Sequence, residues 1–203
     1  IPITLVVNYL EAPNFDDQNE TFCQGLNKVQ LAVPSGYQSY LWNDTNASTT
    51  NSISVSAPGT YTVKVTDANG CSDSKNFIVT ASSAATITGV EISDFNGGEN
   101  TVTITYTGNG NYKFSLDGNF YQDTPTFYNV PSGMYTVYVE NFCGKRSKEI
   151  FVLDYPKYFT PNGDGYNDVW KIPYLQNQNR RAQVHIFDRY GKFMVELNAK
   201  NQN

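Results

Sequence analysis

The 203-residue sequence is poor in charge, histidine and methionine: 16% of its residues are charged, and it has one His and two Met. Its net charge of −5 at pH 7 excludes the basic surface that nucleic-acid binding requires. No run of about 18 apolar residues occurs, so no transmembrane helix is predicted. The Ala-, Glu-, Lys- and Leu-rich runs of a helical bundle are also missing.

Aromatic residues are abundant instead, with 15 Tyr and 12 Phe. Aromatic and β-branched residues suit the pleated surface of a sheet. Short stretches of alternating apolar and polar residues recur along the chain between Gly, Asn and Asp turn signals. These features predict an all-β protein made of β-sandwich modules.

Two stretches resemble each other and indicate repeated modules. The first is Gly59-Thr60-Tyr61-Thr62-Val63-Lys64-Val65, and the second is Gly133-Met134-Tyr135-Thr136-Val137-Tyr138-Val139. Each is followed by a turn, a Cys and a second apolar run, which is the pattern of a hairpin with one buried face. Trp42 is predicted to be a core anchor of the first module.

The pattern divides the chain into four parts. Residues 1–10 are predicted to be the last strand of an upstream module, followed by a polar linker over Glu11–Glu20. The modules are predicted at residues 21–82 and 83–153. Residues 154–203 form a separate C-terminal segment.

Three cysteines leave one without a partner. Cys23 opens the first module and Cys71 closes it, so a disulfide between them is predicted; two buried thiols are the alternative. Cys143 is expected to be free or paired outside this fragment. A zinc site is disfavoured, because no CxxC motif is present.

Two motifs characterise the C-terminal segment. One is Phe159-Thr160-Pro161-Asn162-Gly163-Asp164-Gly165-Tyr166-Asn167-Asp168, followed by Trp170, and the other is Ile186-Phe187-Asp188-Arg189-Tyr190-Gly191. Together they resemble the type B C-terminal sorting domain, or gliding motility-associated C-terminal domain, of the Bacteroidota type IX secretion system. Members of that family normally continue with further strands, so the resemblance implies an incomplete β-sandwich here. The upstream modules more loosely resemble Ig-like and SprB-type adhesin repeats.

The resemblance implies an exported protein held at the cell surface and attached to the outer membrane. Its expected partners are the type IX translocon and shuttle and a PorP/SprF-like outer-membrane barrel protein. The expected function is the C-terminal end of a large adhesin of gliding motility, in which Ig-like modules form a stalk. Two alternatives are the sorting and spacer region of a secreted enzyme such as a glycan hydrolase, and carbohydrate binding through Tyr121, Phe127 and Tyr128.

A recognition surface is predicted on the two motifs. Its residues are Phe159, Thr160, Pro161, Asn162, Gly163, Asp164, Gly165, Asn167, Asp168, Trp170, Asp188, Arg189, Tyr190 and Gly191. Tyr158, Phe159 and Trp170 are expected to be core, with a docking face as the alternative. Gly191 is expected to take a left-handed conformation in a hairpin turn.

Metal binding and catalysis have weak support. Asn162, Asp164 and Asp168 supply oxygen ligands for a possible calcium ion, but the spacing departs from the EF-hand loop. A turn capped by its own side chains is favoured instead. His185 has no nucleophile motif such as G-x-S-x-G with it, so no enzyme activity and no cofactor are predicted.

Overall fold

The computed structural model describes residues 13–25, 27–173, 175 and 183–198. These residues form fourteen β-strands, which confirms the all-β prediction. The chain divides into two units, one running through Ala84 and including Gly108–Gly110, the other covering Ala85–Thr107 and continuing from Asn111. Among the described residues, no helix has the length and hydropathy needed to cross a membrane.

The first unit is a β-sandwich of two sheets. Its strands are β1 (Gln18–Cys23), β2 (Val29–Ala32), β3 (Ser39–Trp42), β4 (Ser52–Val55), β5 (Gly59–Thr66) and β6 (Ser72–Ser82). One sheet has the order β1-β6-β5-β3 and the other pairs β2 with β4. β1 runs parallel to β6, and the other pairings are antiparallel.

The core of the first unit follows from the alternation along its strands. Val63 and Val65 on β5 are fully buried, and both sheets contribute to the same cluster of buried side chains. Trp42 is almost completely buried, its ring lies 5.7 Å from that of Phe77, and its Nε1 donates to the Thr50 carbonyl at 2.8 Å. The prediction that Trp42 anchors this core is confirmed.

β1 corrects the predicted linker. Residues 18–20 were assigned to that linker, yet they pair with β6, and Phe15 packs against the core. The Asp17 carboxylate accepts the Asn76 backbone N–H at 2.9 Å. β1 is a polar edge strand, so its sequence lacks the alternation of apolar and polar residues that predicts a strand. Its hydrogen bonds to β6 are what make it a strand. The strand predicted at residues 1–10 lies outside the described residues.

The predicted Cys23–Cys71 disulfide is wrong. Cys71 is a free, half-buried thiol, whereas Cys23 is disulfide-bonded. Cys23 pairs in register with Ser82 at one end of β6, while Cys71 precedes Ser72 at the other. The ten residue steps from Ser72 to Ser82, at roughly 3.3 Å each, separate the two cysteines by about 33 Å, far beyond disulfide reach. Cys143, expected to be free or paired outside the fragment, is also disulfide-bonded.

The second unit contains another β-sandwich, followed by a hairpin. Its strands are β7 (Thr86–Ser93), β8 (Asn100–Thr107), β9 (Lys113–Ser115), β10 (Thr126–Val130), β11 (Gly133–Asn141), β12 (Gly144–Val152), β13 (Gln183–Phe187) and β14 (Phe193–Asn198). Two three-stranded sheets, β10-β8-β7 and β12-β11-β9, share one core. β13 and β14 form a separate two-stranded antiparallel sheet.

The sequence repeat corresponds to one structural unit used twice. Val137 and Val139 on β11 are fully buried, as are the matching valines of β5. The hydroxyls of Tyr61 and Tyr135 each donate at 3.0 Å to the carbonyl four residues earlier. A Cβ on Gly133 would lie 3.3 Å from the Tyr135 ring, so glycine leaves room for this tyrosine.

A small third cluster lies where the second sandwich meets the C-terminal segment. Leu153, Ile172 and Leu175 are buried there, and Trp170 and Val184 pack against them. Leu153 directly follows β12, and its carbonyl accepts the Phe95 backbone N–H at 3.2 Å. The C-terminal segment therefore begins as an extension of the second sandwich.

Candidate recognition surface

The glycine loop, defined here as residues 159–168, is held by the carboxylate of Asp168. Its Oδ1 accepts the Gly163 N–H and its Oδ2 accepts the Gly165 N–H, each at 2.7 Å. Both glycines have positive φ, 80° and 87°, which a residue with a Cβ rarely adopts. The two N–H groups hold the pKa of Asp168 below its usual value.

Asp164 completes this network from inside the loop. Its Oδ1 accepts the Tyr166 N–H at 2.7 Å, and its Oδ2 accepts the Asn162 side-chain amide at 2.8 Å. The Tyr166 N–H and the Asn162 amide lower the pKa of Asp164. This is the geometry of a turn capped by its own side chains. Calcium binding by Asn162, Asp164 and Asp168, the less favoured of the two interpretations, stays untested.

The aromatic residues beside the glycine loop divide into two kinds. Tyr158 and Phe159 are 70% and 50% exposed, so the expectation that they are core is wrong. Among the described residues, the adjoining cluster has three buried side chains, and neither Tyr158 nor Phe159 packs against it. Trp170 packs against that cluster, and its Nε1 donates to the Pro156 carbonyl at 2.9 Å.

The hairpin turn, residues 188–192, joins β13 to β14. Asp188 shapes it: its Oδ1 accepts the backbone N–H of Tyr190 at 2.8 Å and of Lys192 at 2.9 Å. Gly191 has φ 83°, which confirms the predicted left-handed position. Tyr190 is 80% exposed, and the Arg189 guanidinium lies 5.0 Å from the centre of its ring.

The same turn occurs between β5 and β6. Asp67 Oδ1 accepts the N–H groups of Asn69 and Cys71 at 2.8 and 2.9 Å, and Gly70 has φ 84°. In both turns the Asp N–H donates to the carbonyl four residues later, and its carbonyl accepts the glycine N–H. Asp188 and Gly191 are thus explained by turn geometry alone, which leaves Arg189 and Tyr190 as the side chains available to a partner.

The β13–β14 hairpin carries a partly exposed apolar surface. The rings of His185, Phe187 and Phe193 contact one another at 5.8–6.5 Å between centres. His185 Nε2 lies 3.4 Å from a carboxylate oxygen of Glu196 on the facing strand. Most of its remaining apolar side chains are also exposed: Ile186, Met194 and Val195. His185 is therefore a surface strand residue.

The glycine loop and the hairpin turn each form their own hydrogen bonds. Among the described residues, no hydrogen bond or ion pair joins one to the other. Asp154, which ties the segment to the sandwich, was not among the residues predicted from the sequence. Its Oδ2 accepts the Gly98 N–H at 2.7 Å and the Asn100 amide at 3.3 Å, and its Oδ1 accepts the Tyr155 N–H at 2.9 Å.

Asp154 is 9% exposed, and Asn100 is fully buried. Burial raises the pKa of Asp154, but hydrogen bonds from the Tyr155 N–H, the Asn100 amide and the Gly98 N–H lower it more, and the net shift is downward. The one available sequence signal was an acidic residue directly after an apolar strand. Its partners Gly98 and Asn100 lie more than fifty positions earlier, and no local sequence pattern links them to Asp154.

These contacts place a cleft of about 530 Å³ between the second sandwich and the glycine loop. We call it the junction cleft. It is lined by Gly97, Gly98, Pro131, Ser132, Asp154, Tyr155, Pro156, Lys157, Tyr158, Gly165, Asn167, Asp168, Val169, Lys171 and Pro173. Three predicted recognition residues, Gly165, Asn167 and Asp168, are among them.

The aromatic residues considered for carbohydrate binding do not share one environment. Tyr128 is 71% exposed, Phe127 packs against the core, and the Tyr121 ring lies 5.3 Å from the Lys145 ammonium. For metals, no group of three or more His, Cys, Asp or Glu in the described part of the chain is arranged to hold an ion.

The comparisons with known proteins bear on the C-terminal segment and on the fold. Residues 153–203 match the family described as the CHU_C type IX secretion signal domain. The segment after β12 is therefore a type IX secretion signal domain, as the two motifs predicted. No curated protein sequence matches the chain.

Several solved structures match part of the chain. The N-terminal four Ig domains of Dscam1 isoform 8.4 are 16% identical with a TM-score of 0.37, covering 73% of this chain and 45% of that one. Murine CEACAM1b is 14% identical with a TM-score of 0.42, covering 66% and 95%. Drosophila OTK extracellular domains 3–5 are 11% identical with a TM-score of 0.40, covering 68% and 59%. The chain thus spans less than half of the Dscam1 fragment.

Proposed function

We propose that this chain is part of a secreted cell-surface adhesin. The two sandwiches form a stalk, and residues 153–203 act as its sorting and anchoring signal. The observation that carries the proposal is the match of that segment to a type IX secretion signal domain, directly after β12. The function is recognition by other proteins and requires no chemistry within these residues.

The proposed partners are the type IX translocon and shuttle, followed by a PorP/SprF-like barrel that holds the adhesin at the outer membrane. The glycine loop offers these partners a rigid surface, because its carboxylates fix its backbone. The hairpin turn offers the exposed side chains of Arg189 and Tyr190. A role in gliding motility is part of the same proposal.

Surface display in a bacterium with type IX secretion tests the proposal. We expect the chain to reach the cell surface and to co-purify with a barrel protein from outer membranes in mild detergent. Deleting residues 153–203 should abolish both. Because deletion also blocks export, the truncated chain is added as purified protein in a second arm. Display that persists without the segment would refute the proposal.

Matched variants separate recognition from turn geometry. Arg189→Ala and Tyr190→Ala should reduce display without changing the urea unfolding midpoint, because neither side chain forms the turn. Asp188→Ala should reduce display and loosen the hairpin. Asp67→Ala removes the same bonds from the β5–β6 turn and should leave display unchanged. Normal display of both the Arg189 and the Tyr190 variants would exclude the hairpin turn from the recognition surface.

A further inference from the structure

The two carboxylates that line the junction cleft are engaged within the protein. Both carboxylate oxygens of Asp154 accept N–H groups of the protein. Both oxygens of Asp168 do the same, at 2.7 Å. A carboxylate engaged in this way orders the walls of the cleft and has less to offer to a ligand. The charged groups left to bind a ligand in the cleft are therefore the donors of its ammonium groups.

Two lysines supply those donors. Lys157 and Lys171 both line the cleft and are exposed. Within the described part of the chain, neither ammonium makes a hydrogen bond or an ion pair. A Cβ on Gly97 would lie 3.6 Å from Lys157 Cε and 3.9 Å from its Nζ, so this ammonium lies against the β7–β8 connection. Each ammonium has three N–H donors and no acceptor.

The remaining lining of the cleft is partly apolar, and the cleft has room for a side chain or a short backbone segment of a ligand. The exposed side chains of Tyr155, Tyr158 and Val169 also line the cleft. A volume of about 530 Å³ is within the range of protein ligand sites. The cleft thus combines apolar surface with two ammonium groups that form no ion pair within the described part of the chain, beside two carboxylates whose oxygens are already engaged.

We propose that the junction cleft binds an acidic peptide segment of a partner protein, through carboxylates that pair with Lys157 and Lys171. Carboxylates are acceptors only and match a cleft that offers donors. Sugar hydroxyls need acceptors as well, and here the carboxylate acceptors are engaged by the protein. This inference rests on the proposed function and names the chemistry by which a partner recognises the signal. The signal surface then includes Gly97 and Gly98 of the second sandwich.

Fluorescence anisotropy on the purified 203-residue chain tests this inference. The probe is a fluorescein-labelled peptide of alternating Glu and Val, and its Lys-for-Glu analogue is the charge control. We expect the acidic peptide to bind and to weaken steeply between 50 and 200 mM salt, because paired charges are screened. The double variant Lys157→Ala/Lys171→Ala should weaken binding about tenfold.

The double variant Lys64→Ala/Lys148→Ala is the matched control. It removes the same charge from exposed strand positions outside the cleft, and binding should be unchanged. Equal weakening by both double variants, or equal binding of the Lys analogue, would overturn the inference. Polygalacturonate is the competitor that tests for an acidic glycan. If it displaces the peptide at a lower carboxylate concentration than a Glu peptide requires, the inference is overturned in favour of an acidic glycan.

The display experiment keeps this inference distinct from the proposed function. If display depends on residues 153–203 but the acidic peptide does not bind, the cleft inference alone fails. If display is independent of the segment, the proposed function fails, whatever the peptide does. Reduced display of Lys157→Ala/Lys171→Ala, with an unchanged unfolding midpoint, would support both.

Discussion

Asp154 allows the attachment of the signal segment to the second sandwich to be measured. In Asp154→Ala, the exposed Gly98 N–H and the buried Asn100 amide lose their shared acceptor, while the Asn100 amide keeps its bond to the Val130 carbonyl. One N–H of Asn100 becomes an unsatisfied buried donor, which costs about 1–3 kcal/mol, so the expected loss in the free energy of unfolding is about 1–3 kcal/mol. Asp154→Asn keeps one oxygen, which can turn toward the Gly98 and Asn100 donors. Its expected loss is about 1 kcal/mol.

Urea unfolding followed by tryptophan fluorescence provides the assay. The chain has two tryptophans, and a Trp42→Phe background leaves Trp170, which packs beside Leu153, as the reporter. Asp123→Ala is the control, because Asp123 makes an exposed ion pair with Lys113 at 2.6 Å. Such a pair contributes about 0–1 kcal/mol. Equal losses in the Asp154 and Asp123 variants would refute the assignment of a buried polar network.

Three further predictions address the cysteines, acid stability and the hairpin. Under denaturing, non-reducing conditions iodoacetamide should modify one thiol, Cys71, and mass spectrometry of its peptide checks this. The pKa values of Asp154 and Asp168 are lowered on folding, so their stabilisation is present above about pH 4 and is lost as pH falls through the lowered values. Urea midpoints measured from pH 7 to 2.5 should therefore fall below about pH 4, less steeply in Asp154→Asn. Gly191→Ala should destabilise the hairpin by about 1 kcal/mol because of its positive φ, as measured by hydrogen exchange of the β13 amides.

Much of the fold follows from local pattern. The two repeated stretches of the sequence begin at the first residues of β5 and β11 and lie entirely within these strands. The β13–β14 hairpin and the conformation of Gly191 were also predicted, because an Asp, two residues and a Gly dictate the turn locally. What the sequence pattern identifies well is any element whose hydrogen bonds close within a few residues.

Elements defined by distant partners escaped prediction. β1 is polar, and its parallel pairing with β6 placed Cys23 at the far end of the sheet from Cys71. The junction cleft is assembled by Asp154 and Gly98, which lie 56 positions apart. The acceptors and donors of the cleft are residue types common on protein surfaces. The sequence alone does not show that they lie together. The recognition motifs were visible in the sequence, and the second sandwich's contribution to the cleft was not.

The bond between Asp154 and the β7–β8 connection has a consequence for export. The signal segment starts on a strand end that exists only after residues far apart in the chain have met, and such long-range contacts form slowly. A chain whose second sandwich is still open therefore lacks both the cleft and the anchored first residues of its signal. A receptor that binds this surface would therefore bind a chain whose second sandwich has folded and not one whose second sandwich is still open.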